Sequence, residues 1–196
     1  MQSVAALHDK SDTLSRVCDA LERGQPEMAK GIVAAEYPFS PPERSSRKYS
    51  ELDRMRGFVR DRFTDRYSGR RLVFPGTLRL LSSLLENEEN DCFPHHPNWR
   101  TDKCHFAFWE LYPTIDHVEP VTRGGQDREP NWVSTSMLLN GAKGNYSLDQ
   151  LGWKLHPVDD GWDGLTGWFL RQTLPPELES SLPLRRWRNA AKCICG

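Results

Sequence analysis

Residues 112–144 read Y-P-T-I-D-H-V-E-P-V-T-R-G-G-Q-D-R-E-P-N-W-V-S-T-S-M-L-L-N-G-A-K-G. The run from Tyr112 to Val121 is β-branched and bounded by Pro113 and Pro120, which predicts a strand. Thr122 to Pro130 is a loop built around Gly124-Gly125, and Asn131 to Thr135 starts a second strand. Ser136 to Lys143 predicts a short helix ended by Gly144. Strand, loop, strand and helix thus follow one another in 33 residues, with Asp116-His117 on the first strand and Asn140 on the helix.

Upstream, residues 11–24 place Leu14, Val17, Cys18 and Leu21 on one helical face, with Ser11 or Asp12 as the N-cap and Gly24 as the stop. A second helix is expected from Pro26 to about Glu36, because Pro suits a first turn and Pro38, Pro41 and Pro42 prevent continuation. Residues 38–48 read as a linker and 49–60 as another helix. Phe63 to Phe74 reads as two short strands turning at Ser68-Gly69, and Thr77 to Leu85 as an apolar helix closed by the acidic loop E-N-E-E-N-D. Residues 93–105 are irregular. Residues 146–174, with Trp153, Trp162 and Trp168, are expected to pack as an extension. The fold class is therefore α+β: an N-terminal helical region and linker over 1–48, a core over 49–145 with an insertion at about 72–110, and a C-terminal extension with a basic tail over 146–196.

The 196 residues have a mean hydropathy of −0.67 and only short apolar runs, against the roughly 20 residues needed to cross a bilayer. No basic-then-apolar leader opens the sequence, so a membrane-inserted or exported protein is not expected. Five unevenly spaced cysteines do not form a disulfide lattice, which favours a reducing cytoplasm. The net charge of −1 hides a segregation: residues 44–79 carry eleven Lys and Arg against four acids, and the stretch Leu184 to Lys192 adds Arg185, Arg186, Arg188 and Lys192 with no acid. Residues 110–145 between them are net acidic. Basic regions flanking an acidic middle suit a polyanion gripped beside a site that holds a cation.

The stretch D-H-V-E-P-V-T-R-G-G, then Asn131, then L-N-G-A-K-G resembles the HNH nuclease family with its ββα-metal fold. The resemblance covers roughly residues 60–145. His117 to Asn131 spans 14 residues and Asn131 to Asn140 spans 9, intervals that fit the family. It implies a metal-dependent endonuclease with Asp116 and Asn140 as ligands of Mg²⁺ or Mn²⁺, His117 as general base, Asn131 as a loop brace and Lys143 as a phosphate or leaving-group contact. The chemistry has its own logic. Phosphodiester cleavage needs an activated water and a cation beside the phosphate, a neutral His takes a proton near pH 7, and two hard oxygen ligands leave Mg²⁺ most of its water. Because neighbours on a strand face opposite ways, Asp116 and His117 serve one site only if the strand twists or ends there.

Many family members also carry a zinc knuckle of two C-x-x-C pairs. Here the aligned positions hold Asp65, Ser68, Ser136 and Leu139, so no structural zinc is expected there, and packing and hydrogen bonds must replace it. Cys92, His95, His96, Cys104 and His105 invite a second zinc reading, but they lack a tight C-x-x-C turn and Pro94 and Pro97 restrict them, which favours loop and packing roles. Cys193 and Cys195 read as a frayed end. DNA is the expected partner, gripped by Arg54, Arg60, Arg66, Arg70 and Arg71, with Arg123 either reaching the scissile phosphate or staying at the surface. One active site cuts one strand at a time, so double-strand breaks would call for a homodimer. The competing readings are a catalytically inactive nucleic-acid-binding module and an RNA-directed nuclease or toxin.

Overall fold

Gly24, in the left-handed conformation (φ 71°), ends the first helix and turns the chain into Pro26, where the next begins. These helices, α1 (Lys10–Glu22) and α2 (Pro26–Glu36), come from a computed structural model that describes residues 10–39, 49–86 and 92–195. They belong to the first of two units, Met1–Arg44 and Ser45–Gly196. Helix α1 already includes Lys10, so Ser11 and Asp12 lie in its first turn rather than capping it. An Arg16–Glu36 ion pair and a Lys10 Nζ bond to the Glu36 carbonyl (2.9 Å) join the two helices. Arg44, Arg47, Lys48, linker residues 40–48 and residues 87–91 of the acidic loop lie outside the described residues.

The second unit opens with α3 (Glu51–Arg60). Ser50 caps it: its hydroxyl accepts from Asp53 N, and the Asp53 carboxylate accepts from Ser50 N (both 3.1 Å). The helix buries Met55, Gly57 and Phe58. Gly57 is needed because a Cβ there would stand 2.6 Å from the Ile115 side chain.

Between 61 and 74 the expected pair of strands reduces to one bridge, Thr64↔Arg71. Arg62 and Phe63 take left-handed backbone (φ 50° and 47°), turning Phe63 into the core, and the Asp65 carboxylate accepts from Tyr67 N and Ser68 N. A tight turn held by a side chain leaves no room for a ladder. Helix α4 (Pro75–Leu85) starts two residues before the expected Thr77, with Pro75 in its first turn.

The short α5 (Ala107–Glu110) precedes β1 (Pro113–His117), which pairs antiparallel with β2 (Trp132–Ser136) in the register Pro113↔Ser136 to His117↔Trp132. Helix α6 (Met137–Lys143) follows, capped by the Ser136 hydroxyl, which accepts from Leu139 N, and stopped at Gly144 (φ 52°). The architecture is α+β, with a small two-stranded antiparallel sheet among helices.

Residues 146–196, expected as an extension, belong to the second unit. They form α7 (Leu148–Leu151), α8 (Thr166–Arg171), α9 (Pro176–Glu179) and α10 (Leu182–Cys195). The basic tail and the cysteines expected to fray are both part of α10. It buries Leu184, Trp187, Ala190 and Ala191 in the main core with Met55, Phe58, Phe63, Phe74, Leu80 and Phe169. Arg185, Arg186 and Lys192 stay exposed, as the 3.6-residue period requires, whereas Arg188 lies at the edge of the buried face and donates to Gln172 O (3.2 Å). Burying an aromatic or large aliphatic side chain of this kind stabilises by about 1.5–3 kcal/mol. A second cluster of Val73, Leu78, Phe108 and Tyr112 gathers Phe93, Trp99 and Met137, which anchors the irregular segment 93–105.

Candidate active site

The loop between β1 and β2 is closed by one side chain. Asn131 Oδ1 accepts from Glu119 N, and its Nδ2 donates to the carbonyl oxygens of Glu119 and Gln126, all at 2.9 Å. Gly125 fits against this brace because a Cβ would lie 1.9 Å from Glu119 O. Asn131, expected as a loop brace, makes these three bonds within the loop, and the same loop carries Asp127 onto His117.

His117 ends β1 with its side chain only 9% exposed. Its Nε2 is 2.8 Å from Asp127 Oδ1 and 3.2 Å from Trp132 Nε1, and the Tyr49 hydroxyl lies 3.3 Å away. Tyr49 and Trp132 also donate to the same Asp127 oxygen. Burial works against a charged Asp127, but the bonds from Tyr49, His117 and Trp132 outweigh it and hold the carboxyl below the usual range. In the tautomer with the proton on Nε2, His117 donates to Asp127 and Nδ1 carries the lone pair. Asp127 was missed in the sequence, where a carboxylate in a Gly-rich loop carries no periodic or spacing signal.

Asp116 serves the other side of the hairpin. Its Oδ2 accepts from the Tyr67 hydroxyl (2.7 Å) and pairs with Lys143 Nζ (3.0 Å). Burial, then the Asp116 charge, pushes Tyr67 well above the ordinary tyrosine range, so it stays a neutral donor. Lys143 is fully buried and also donates to the His117 carbonyl oxygen at 2.7 Å. The expectation that Lys143 touches phosphate is therefore corrected: with no exposed surface it positions the end of β1 from behind. Asn140 Nδ2 donates to Thr114 Oγ1 (2.9 Å) and the Ile115 carbonyl, which leaves Asn140 Oδ1 and Asp116 Oδ1 without a partner among the described residues.

Asp65 and Ser136, expected at zinc-ligand positions, are joined directly. The fully buried Asp65 carboxylate accepts from Ser136 N (2.9 Å) and Thr135 Oγ1 (3.1 Å), besides Tyr67 N and Ser68 N. All four aligned residues, Asp65, Ser68, Ser136 and Leu139, line one cavity. The Asp65 carboxylate thus cross-links the two segments, beside Asp61, which accepts from Ser134 N (2.7 Å), and the Arg66 N–H, which donates to Ser134 O (2.8 Å). In the segment 92–105, Cys104 is buried, accepts from His96 N and donates to His96 O, while His105 stacks on Phe93 and His95 packs tilted against Phe108. No group of three His, Cys, Asp or Glu able to hold a metal occurs among the described residues.

The arginines divide by task. Arg60 spends its guanidinium on Asp61, Glu129 O and Trp132 O, and Arg66 on His156 O and Asp61. Both brace the fold, which corrects their assignment to a free basic strip. Arg71 pairs with Asp159 (2.7 Å) and lies over Trp162, and Arg123 donates to Asn145 O (2.6 Å). The Arg70 side chain is exposed and makes no ion pair among the described residues, and Arg54 lines a cavity described below.

No described helix is long and apolar enough to cross a membrane. Comparison with known protein families, curated proteins and solved structures finds no match to this chain.

Proposed function

We propose that the protein is a metal-dependent endonuclease with a ββα-metal core, hydrolysing phosphodiester bonds in DNA. One observation carries the reading: an Asn131-braced hairpin ends in Asp116-His117 and is followed at once by a helix that lays Asn140 and Lys143 against β1. His117 takes a proton from water through Nδ1 while Asp127 fixes the ring through Nε2, which sets its orientation and tautomer. Lys143 holds the His117 carbonyl and Asn131 holds the loop, so both ends of the base are positioned. β1 stops at His117, which lets a phosphate beyond the strand end lie between two side chains that point to opposite sides.

Asp116 and Asn140 would supply hard oxygen donors, the chemistry that suits Mg²⁺ or Mn²⁺ keeping several waters. Such a cation, when bound, neutralises charge at a phosphate oxygen. Supercoiled plasmid incubated with Mg²⁺, Mn²⁺ or EDTA is the test: nicked or linear product with metal and none with EDTA is expected, and intact plasmid under every condition sinks the proposal.

One observation favours a second reading, a nucleic-acid-binding module without catalysis: Lys143 already neutralises Asp116. Its mark would be DNA binding without metal-dependent cleavage. RNA in competition with DNA in the same assay separates an RNA-directed nuclease.

A further inference from the structure

A cavity of about 350 Å³ opens beside the start of β1, lined by Tyr49, Arg54, Arg79, Trp99, Tyr112 and Thr114 among others. Arg54 comes from α3 and Arg79 from α4. Unlike Arg60, Arg66 and Arg71, neither makes an ion pair or a side-chain hydrogen bond among the described residues. Arg79 Nε is buried and has no hydrogen-bond partner. A buried cationic donor without a partner is costly and calls for an explanation.

The residues lining the cavity include no carboxylate, and Glu51, whose charge reaches Tyr112, pairs with Arg186. His95 Nε2 is likewise buried and unpartnered, and burial, then Arg79 and His96, pushes this imidazole down to about 4, so it stays neutral. The walls are aromatic: Trp99 meets Tyr112 edge-on with centroids 4.9 Å apart, and Tyr49 joins the cavity to His117 through its hydroxyl.

We propose that this cavity binds one nucleotide of the substrate strand, with its phosphate on Arg54 and Arg79 and its base against Tyr49, Trp99 and Tyr112. Two guanidiniums suit the several oxygens of a phosphate, aromatic walls suit a base of any identity, and the volume falls in the range of small-ligand pockets. A base paired in duplex cannot enter without unstacking, so the cavity selects an unpaired or extruded nucleotide next to the bond that His117 attacks. The choice of ligand rests on the nuclease reading, but the occupancy is measured without cleavage.

Titration calorimetry of the full chain with thymidine 5′-monophosphate, free of divalent metal, tests it. Wild-type protein should bind the nucleotide. Arg54→Gln and Arg79→Gln should each weaken binding about tenfold or more, as should removal of the phosphate in thymidine. Inorganic phosphate should compete only at much higher concentration. No binding at about 1 mM nucleotide, or unchanged binding in the folded Arg54→Gln protein, overturns the proposal. Phosphate binding as tightly as the nucleotide also overturns it, by reducing the cavity to an anion site. Arg54 is partly exposed on a helix surface, so its variant keeps the test decisive if Arg79→Gln does not fold. Plasmid that stays uncut while the nucleotide binds would reject the nuclease reading alone.

Discussion

Lys143 Nζ lies 3.0 Å from Asp116 Oδ2, with the lysine wholly buried and the aspartate side chain 12% exposed. An ammonium taken out of water in this way is tolerated only because two acceptors and one ring face surround it: the carboxylate, the His117 carbonyl and, at 5.7 Å, the Tyr67 ring. The pair joins the last turn of α6 to the end of β1 and so fixes the height at which His117 emerges.

Removing one partner leaves an uncompensated charge. Lys143→Met should therefore destabilise by about 3–5 kcal/mol, and the double variant Asp116→Asn/Lys143→Met by clearly less than the single changes added together. Urea unfolding of the four proteins gives the coupling; additive values would mean that the two groups do not interact.

His117→Ala should lower plasmid cleavage by about 10²–10⁴-fold while DNA affinity, set mainly by phosphate contacts, stays nearly constant. Cleavage at the wild-type rate would remove His117 from the mechanism.

Asp127→Asn keeps the shape of the loop but weakens the hold on the ring, so cleavage should fall about 10–100-fold with binding intact. The same carboxyl makes an acid-sensitive contribution to stability. Its folded value lies below its unfolded one, so the contribution is complete above about pH 4 and is lost as pH falls through the folded value. Asp159, held down chiefly by its bond from Arg71, acts in the same direction. Urea midpoints measured from about pH 6 down to pH 3 should fall more steeply for the wild type than for Asp127→Asn. Parallel curves would contradict the assignment.

Asp65→Ala should cost about 2–4 kcal/mol, because it orphans Ser136 N and Tyr67 N and unties Thr135 Oγ1 at one buried point. Asp65→Asn retains one acceptor oxygen and should cost less. A loss within about 0.5 kcal/mol for the alanine change would show that this carboxylate does not join the two segments.

Arg70→Ala should reduce the slope of log affinity against log salt by about one, since its exposed charge has no partner among the described residues. Arg66→Ala should leave the slope and lower stability instead, because it unties His156 O and Asp61. Fluorescence anisotropy at several salt concentrations, beside thermal melts, separates the two outcomes.

Much of the hairpin and helix was legible in residues 112–144 because its signals are local. Pro113 opens the strand, although β1 stops at His117 instead of running to Val121, Ser136 accepts from a backbone three residues on, and Gly144 supplies the positive φ that stops α6. The same holds for α2, which starts at Pro26 and ends at Glu36 as its prolines require. Where a turn was governed by a side chain, as at Asp65, β-propensity misled and two strands became one bridge.

The sequence by itself determined the order in which Asp116, His117, Asn131, Asn140 and Lys143 arrive; only the tertiary structure decided which of them face one another. Asp127 reaches His117 across 10 residues, Lys143 reaches the His117 carbonyl across 26, and Thr135 reaches Asp65 across 70. A charge pattern of residues 44–79 likewise does not distinguish Arg66, bound to a carbonyl 90 positions away, from Arg70 at the surface. Periodicity and capping act within a few residues of the chain, whereas the burial of a lysine, the tautomer of a histidine and the isolation of Arg79 are set by the packing of segments far apart in sequence.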